Sequence, residues 1–299
     1  MRDDRFDRRL GALLGTFVGD VLGMPFEGAP PRSAPEPLEL LPARLGRGTY
    51  TDDTEMMIAL AEVLSEAGEC EEELLARRFL EGHDPARGYG AGTLAVFSLW
   101  RAGVPVADAA GRTFAEGSYG NGAAMRVAPV GAHFADDEER LVAEGARSAR
   151  VTHTHALGIA GAVAQAAAVG AAVRGDDPLE TAIRVTTEPT FRAALDRAAA
   201  AVLADVGPEA VAQALGAGVG ALESVPAALC AATRAESFEE ACTYSVQMGG
   251  DADTIAAMAG AVAGARFGAS SIPSRWLDGL EEGPRGRSYV EALAKQLWA

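Results

Sequence analysis

Two short acidic signatures, about two hundred residues apart, hold the side chains best suited to chemistry. The first is Thr51-Asp52-Asp53-Thr54-Glu55 and the second is Asp251-Ala252-Asp253-Thr254, which follows Met248-Gly249-Gly250. Each sets carboxylates and hydroxyls where an apolar helical stretch begins. Hard anionic and neutral oxygens together suit Mg²⁺ or Mn²⁺ rather than zinc, and two such clusters could share a pair of divalent cations. Taken singly, each cluster also fits an ordinary helix start, with Asp52 as N-cap, Glu55 completing a capping box and the acids favoured by the helix dipole. Residues at i and i+2 do not share a face of a regular helix, but a loop-to-helix junction can curl both carboxylates inward.

The elements that must position these acids read as helices almost throughout. Apolar periodicity predicts helices over Leu10–Leu22, Thr54–Ala67, Glu71–Glu81, Ala91–Ala102, Glu138–Ala149, Ala156–Arg174, Phe191–Asp205, Pro208–Leu215, Val225–Thr233, Phe238–Val246, Thr254–Phe267 and Tyr289–Trp298. Alternating strand patterns are hard to find. The run from Gly161 to Val173 is apolar nearly all round, which places it at the centre of the fold. The stretch from Gly28 to Gly48 carries Pro30, Pro31, Pro35, Pro37 and Pro42 and reads as a long, functional loop leading into the first signature. Gly117 to Gly122 is a dense turn cluster, while Asp176-Asp177-Pro178 and Ser271-Ile272-Pro273 read as plain breaks. With no repeat or composition shift, residues 1–299 are expected to form one all-α domain.

Bulk composition narrows the partners. The formal net charge is −16 and the pI about 4.7, which repels nucleic acid and anionic membranes at long range. Aromatic residues make up only 6%, too few for an aromatic nucleic-acid groove. Glycine contributes 35 of 299 residues, well above the typical ~7%, as expected for closely packed helices and special loops. Three cysteines without a C-x-x-C pair suggest neither a disulfide framework nor a zinc site and fit a reducing cytoplasm. The apolar stretch from Leu10 to Phe26 is interrupted by Asp20 and is expected to be a buried helix rather than a signal or membrane segment.

In order along the chain, Gly11-Ala12-Leu13-Leu14-Gly15, Gly19-Asp20, Pro25-Phe26-Glu27, Tyr50-Thr51-Asp52-Asp53-Thr54, Arg87-Gly88-Tyr89-Gly90-Ala91-Gly92, Gly117-Ser118-Tyr119-Gly120-Asn121-Gly122-Ala123-Ala124-Met125-Arg126, Thr152-His153 and Met248-Gly249-Gly250-Asp251-Ala252-Asp253-Thr254 resemble the motifs of the ADP-ribosylglycohydrolase family. The two glycine-rich runs look most like the ADP-ribosylhydrolase 3 branch, which removes O-linked ADP-ribose. The resemblance implies a compact orthogonal helical bundle and a hydrolase that cleaves ADP-ribose from an acceptor oxygen: serine, an acetyl ester or poly(ADP-ribose). An arginine-directed hydrolase and a silent, crystallin-like binder are the alternatives.

The same resemblance implies two divalent cations, Mg²⁺ or Mn²⁺, held by Thr51, Asp52 and Asp53 on one side and by Asp251, Asp253 and Thr254 on the other. Glu27 matches the glutamate that closes over the site; the resemblance makes it a further metal ligand and places it with Asp52 and Asp53 in the catalytic set. Asp52, Phe114, Gly117, Ser118, Tyr119, Gly120, Asn121, Gly122, His153 and Val219 are the implied substrate contacts, with the glycines cradling pyrophosphate and Tyr119 or Phe114 stacking on adenine. The expected partner is ADP-ribose or an ADP-ribosylated protein, met by a monomer that binds neither DNA nor membrane. Two departures stand out: the segment between His153 and Asp251 is shorter than in the animal hydrolases, and Ala252 stands where the family commonly has Thr.

Overall fold

A computed structural model of the protein describes residues 4–298. Sixteen α-helices carry the fold among the described residues. The first half contains α1 (Asp4–Gly23), α2 (Asp52–Ala67), α3 (Glu72–Gly82), α4 (Ala91–Arg101), α5 (Val106–Thr113), α6 (Ala128–His133), α7 (Glu138–Arg150) and α8 (Ala156–Arg174). The second contains α9 (Pro178–Val185), α10 (Pro189–Leu203), α11 (Pro208–Leu215), α12 (Ala221–Arg234), α13 (Phe238–Val246), α14 (Ala252–Phe267), α15 (Ser274–Leu277) and α16 (Arg287–Trp298). The proline-rich connection before α2 contains one minimal antiparallel hairpin, in which Pro42 pairs with Arg47 and Ala43 with Gly46.

The closest helix pair is α1 with α14, and glycine makes that approach possible. A Cβ on Gly15 would lie 2.1 Å from the carbonyl oxygen of Gly260, and one on Gly19 would lie 2.0 Å from that of Ala256. Gly11 meets Gly264 and Gly23 meets Ala252 in the same manner, so the two helices run antiparallel along a stripe that repeats every four residues. This contact brings Asp20, on the last turns of α1, to the N-terminal end of α14, where Asp253 stands. Beside the pair, α8 is surrounded by α6, α7, α9, α12 and α14, which explains a sequence apolar on nearly every side. It is long and apolar enough to cross a membrane by length and composition, but most of it is buried inside the protein.

Several boundaries depart from expectation for local reasons. Asp177-Pro178 is not a break but the start of α9: the Asp177 side chain accepts the Glu180 N–H at 2.8 Å and proline occupies the first turn, where its missing N–H costs nothing. Ser271-Ile272-Pro273 similarly leads into α15. The helix expected from Val225 begins at Ala221 and continues through Pro226. The short helices α5 and α6 escaped periodicity because eight and six residues carry barely two turns of pattern.

Candidate functional site

The start of α2 is fixed from both ends of its own sequence signature. Thr51 is the N-cap, and its hydroxyl accepts the Asp53 N–H at 3.3 Å. Asp52, expected to be the cap, is therefore the first helical residue. A buried acid thirty residues upstream completes the work: Asp20 accepts the Thr51 N–H at 3.0 Å, the Thr54 N–H at 3.1 Å and the Thr54 hydroxyl at 2.6 Å. Glu55 forms no capping box. It turns the other way, accepting the Tyr89 hydroxyl at 2.5 Å and the Asp84 N–H at 3.1 Å.

The start of α14 is set by Gly249 and Gly250, both at positive φ (68° and 64°), a conformation that strains side-chain-bearing residues. A Cβ on Gly250 would also lie 2.0 Å from the Ala217 carbonyl oxygen. This turn delivers Asp251, whose N–H donates to Ala217 at 2.8 Å and whose carboxylate accepts from the Asn121 amide. Two residues on, Asp253 accepts the Thr254 N–H at 2.8 Å. The Thr254 hydroxyl then reaches Asp53 Oδ1 at 3.4 Å, joining the two signatures across 201 residues of sequence.

Five carboxyl groups converge here and perturb one another. Burial raises Asp52 to about 8, with repulsion from Asp20 and Asp251 adding to it. Burial, then the charges of Asp20, Asp253 and Asp52, holds Asp53 well above the carboxylate range, and burial with Asp251 and Glu27 does the same for Asp253. Asp251 is raised by burial and by Glu27. Asp53 Oδ2 is buried without a hydrogen-bond partner. An orphaned carboxylate oxygen among mutually repelling acids fits divalent cations. Among the described residues no three His, Cys, Asp or Glu side chains form a ready metal-binding group.

A cavity of about 280 Å³ opens over these acids. Glu27, Thr51, Asp52, Asp53, Asp251, Asp253 and Thr254 line it together with Phe114, Ser118, Gly120, Asn121, Gly122, His153 and Val219. Gly117 and Tyr119 are not on its wall. Gly117, at φ 82°, packs against the backbone of His155, where a Cβ would lie 2.4 Å from the amide nitrogen. Tyr119 is 61% exposed, with its ring edge-on to His155 at 5.7 Å. Phe114 and Val219, 45% and 69% exposed, are the apolar faces that the cavity presents.

The glycine-rich turn is held by backbone pairing with residues 217–221. The Asn121 N–H donates to Val219 at 3.0 Å and the Ala221 N–H to Tyr119 at 3.0 Å, on either side of a bridge between Gly120 and Gly220. Behind it Arg126 is fully buried and donates to the carbonyls of Gly122 (3.0 Å) and Ser148 (2.8 Å) and to Thr152 Oγ1 (2.8 Å). Thr152, having accepted from Arg126, is free to donate to His153 Nδ1 at 2.7 Å. The His153 proton then sits on Nε2, the nitrogen beside Gly120 and Gly122. Burial, with Arg126 nearby, lowers His153 to about 3 and keeps it neutral.

Several residues given no site role from the sequence also build the site. Arg44 and Arg87 lie on the cavity wall. Arg87 is committed to the fold: it sits 3.8 Å over the Tyr50 ring and pairs with Glu281 at 2.6 Å, fixing the chain just before Thr51. Arg44 pairs with Glu27 at 3.3 Å at the exposed rim, where Glu27 stands. Asp20 had one local signal, a lone acid inside an apolar helix. Arg44 and Glu281 had none, because their partners are distant in sequence.

The sequence model of the ADP-ribosylglycohydrolase family matches residues 1–299. The chain is 31% identical to ADP-ribosylhydrolase ARH3 of Bos taurus, with 96% of this chain and 91% of that protein aligned. It is 34% identical to ADP-ribosylhydrolase ARH3 of Mus musculus, over 96% of this chain and 90% of that one. An uncharacterized protein of Archaeoglobus fulgidus is 36% identical over 96% and 94% of the two chains. A solved structure described as an ADP-ribosylglycohydrolase-related protein complex superposes with a TM-score of 0.80 at 32% identity, covering 99% of this chain and 98% of its own. Sequence pattern and fold agree over the whole length, and the chain belongs to the ADP-ribosylglycohydrolase family.

Proposed function

We propose that this chain is a metal-dependent ADP-ribosyl hydrolase that cleaves the bond between ribose C1″ and an acceptor oxygen, as in serine-linked ADP-ribose. The observation that carries the reading is the meeting of the two acidic signatures, through Thr254 and Asp53, on the floor of a cleft walled by the glycine-rich turn. The names of the ADP-ribosylhydrolase ARH3 relatives support the substrate class.

The scissile bond breaks through a transition state with oxocarbenium character. Bound divalent cations would supply Lewis acidity for a water and for the ribose hydroxyls, and positive charge in an acidic protein. Asp52, the acid of the first signature most open to the cleft, accepts a proton from the attacking water, with Asp53 behind it, and that proton passes to the acceptor oxygen as its bond to C1″ breaks. His153 donates from Nε2 to a ribose or phosphate oxygen. Phe114 and Val219 cover apolar faces of the nucleoside. Glu27, at the rim, meets the acceptor side.

Release of ADP-ribose from serine-linked and arginine-linked peptides, measured with Mg²⁺ or Mn²⁺ and again with chelator, tests the reading. Metal-dependent turnover of the serine-linked substrate is expected. Turnover of the arginine-linked substrate alone would transfer the chain to the arginine-directed branch. Asp251→Asn with Asp253→Asn should abolish hydrolysis while helical circular dichroism is retained, and full activity in that variant would refute the mechanism.

A further inference from the structure

Asn121 differs from its neighbours in the glycine-rich turn. It lies on the cavity wall, but its side chain is buried and its amide nitrogen is engaged by two protein oxygens: Ser224 Oγ at 3.1 Å and Asp251 Oδ2. A carboxylate can only accept, so Nδ2 must face this way. Ser224, fully buried on the first turn of α12, donates its own proton to the Gly220 carbonyl at 3.0 Å. Its oxygen is left as an acceptor for Asn121, whose two amide hydrogens therefore go one to Ser224 and the other to Asp251.

Asp251 is thereby held at its backbone and at its side chain, where the Thr254 hydroxyl also lies within reach. Its backbone N–H is bonded to Ala217, and its carboxylate to Asn121. Ala217 begins the same short strip, residues 217–221, that pairs through its backbone with Tyr119 and Asn121. One strip therefore sets the backbone of Asp251, the place of Asn121 and, through Gly220, the hydroxyl of Ser224.

We propose that Asn121 and Ser224 are positioning residues for Asp251: Ser224 fixes the Asn121 amide, and that amide engages Oδ2 so that Oδ1 is the oxygen offered to a divalent cation. The proposal rests on the metal-dependent reading above. It gives Asn121 a task other than contact with substrate, and it gives a task to Ser224, which is not on the cavity wall. Hydrogen-bond partners of metal ligands typically change affinity by about 10–100-fold when removed.

The test is Mn²⁺ binding to the full chain, read from the electron paramagnetic resonance of free Mn²⁺, for the unaltered protein, Asn121→Ala, Ser224→Ala and the double variant. Thermal unfolding in chelator reports folding separately. Asn121→Ala should weaken Mn²⁺ binding by about tenfold. Ser224→Ala should weaken it by less, and should add nothing in the Asn121→Ala background. Ser224→Ala with unaltered Mn²⁺ affinity, or with an additive effect in the double variant, would overturn the relay while leaving the metal reading intact. An unaltered protein that binds no Mn²⁺ would overturn both. Ser224→Ala removes one hydroxyl, so its arm decides the proposal even where Asn121→Ala fails to fold.

Discussion

The Thr54 hydroxyl donates to Asp20 at 2.6 Å, tying the first turn of α2 to the end of α1. Asp20 also takes the N–H groups of Thr51 and Thr54, donors that a helix start would otherwise leave open. Asp20→Ala should strand these buried donors and lower the unfolding free energy by about 3 kcal/mol, measured by urea titration. Asp20→Asn should destabilise in the same sense, because its amide places an NH₂ among N–H donors. A loss within experimental error for either variant would contradict the anchoring role.

Along the α1–α14 seam, any added methyl meets a carbonyl rather than a side chain that could move. Gly15→Ala should therefore cost about 1–3 kcal/mol through overpacking, although alanine is the better helix former. Gly90→Ala is the control, since a Cβ there has nothing within 4 Å. Thermal melts should separate the two by several degrees, and equal melting temperatures would show that the seam yields easily.

His153 supplies the pH dependence. Its folded value, about 3, lies below the unfolded value near 6.5, so the native protein binds fewer protons in between. The stability it contributes is complete above about pH 6.5 and is lost as pH falls from there towards 3. His153→Gln should flatten this part of the melting-temperature profile. Nitrogen-15 spectra of the ring should show a neutral imidazole protonated on Nε2 across pH 5 to 8, and a titration midpoint near 6.5 would exclude the buried neutral form.

The long helices were legible because periodicity and composition agree with where they sit. The run from Gly161 to Val173 is apolar nearly all round and is buried throughout. Asp177-Pro178 was misread because the same pair marks a break or a first turn, and only the Glu180 N–H on Asp177 decides. At the site, the residue types around Thr51 and Asp251 announced two acidic helix starts, but not their supports. Asp20, rather than Glu55, completes the α2 cap from 31 residues away, and Arg87 finds Glu281 across 194. Such partners are chosen by packing, which leaves no local pattern. The glycine cradle was half legible: Gly120 and Gly122 face the cavity, whereas Gly117 serves the turn behind it.

The backbone beside Glu27 has a consequence for how the rim can open. Gly28 donates to the Gly250 carbonyl at 2.7 Å, and Gly250 donates back to Ala29 at 2.9 Å. Side-chain rotation leaves this pair intact and is a picosecond-to-nanosecond event. Swinging the whole segment outward breaks both bonds, at a net cost of about 1 kcal/mol each. The fully open rim is then a minority conformer, and the turn it pulls on is the one that carries Asp251. A ligand that needs the open form would therefore bind at the expense of order at Asp251, whereas one that fits the closed rim would not.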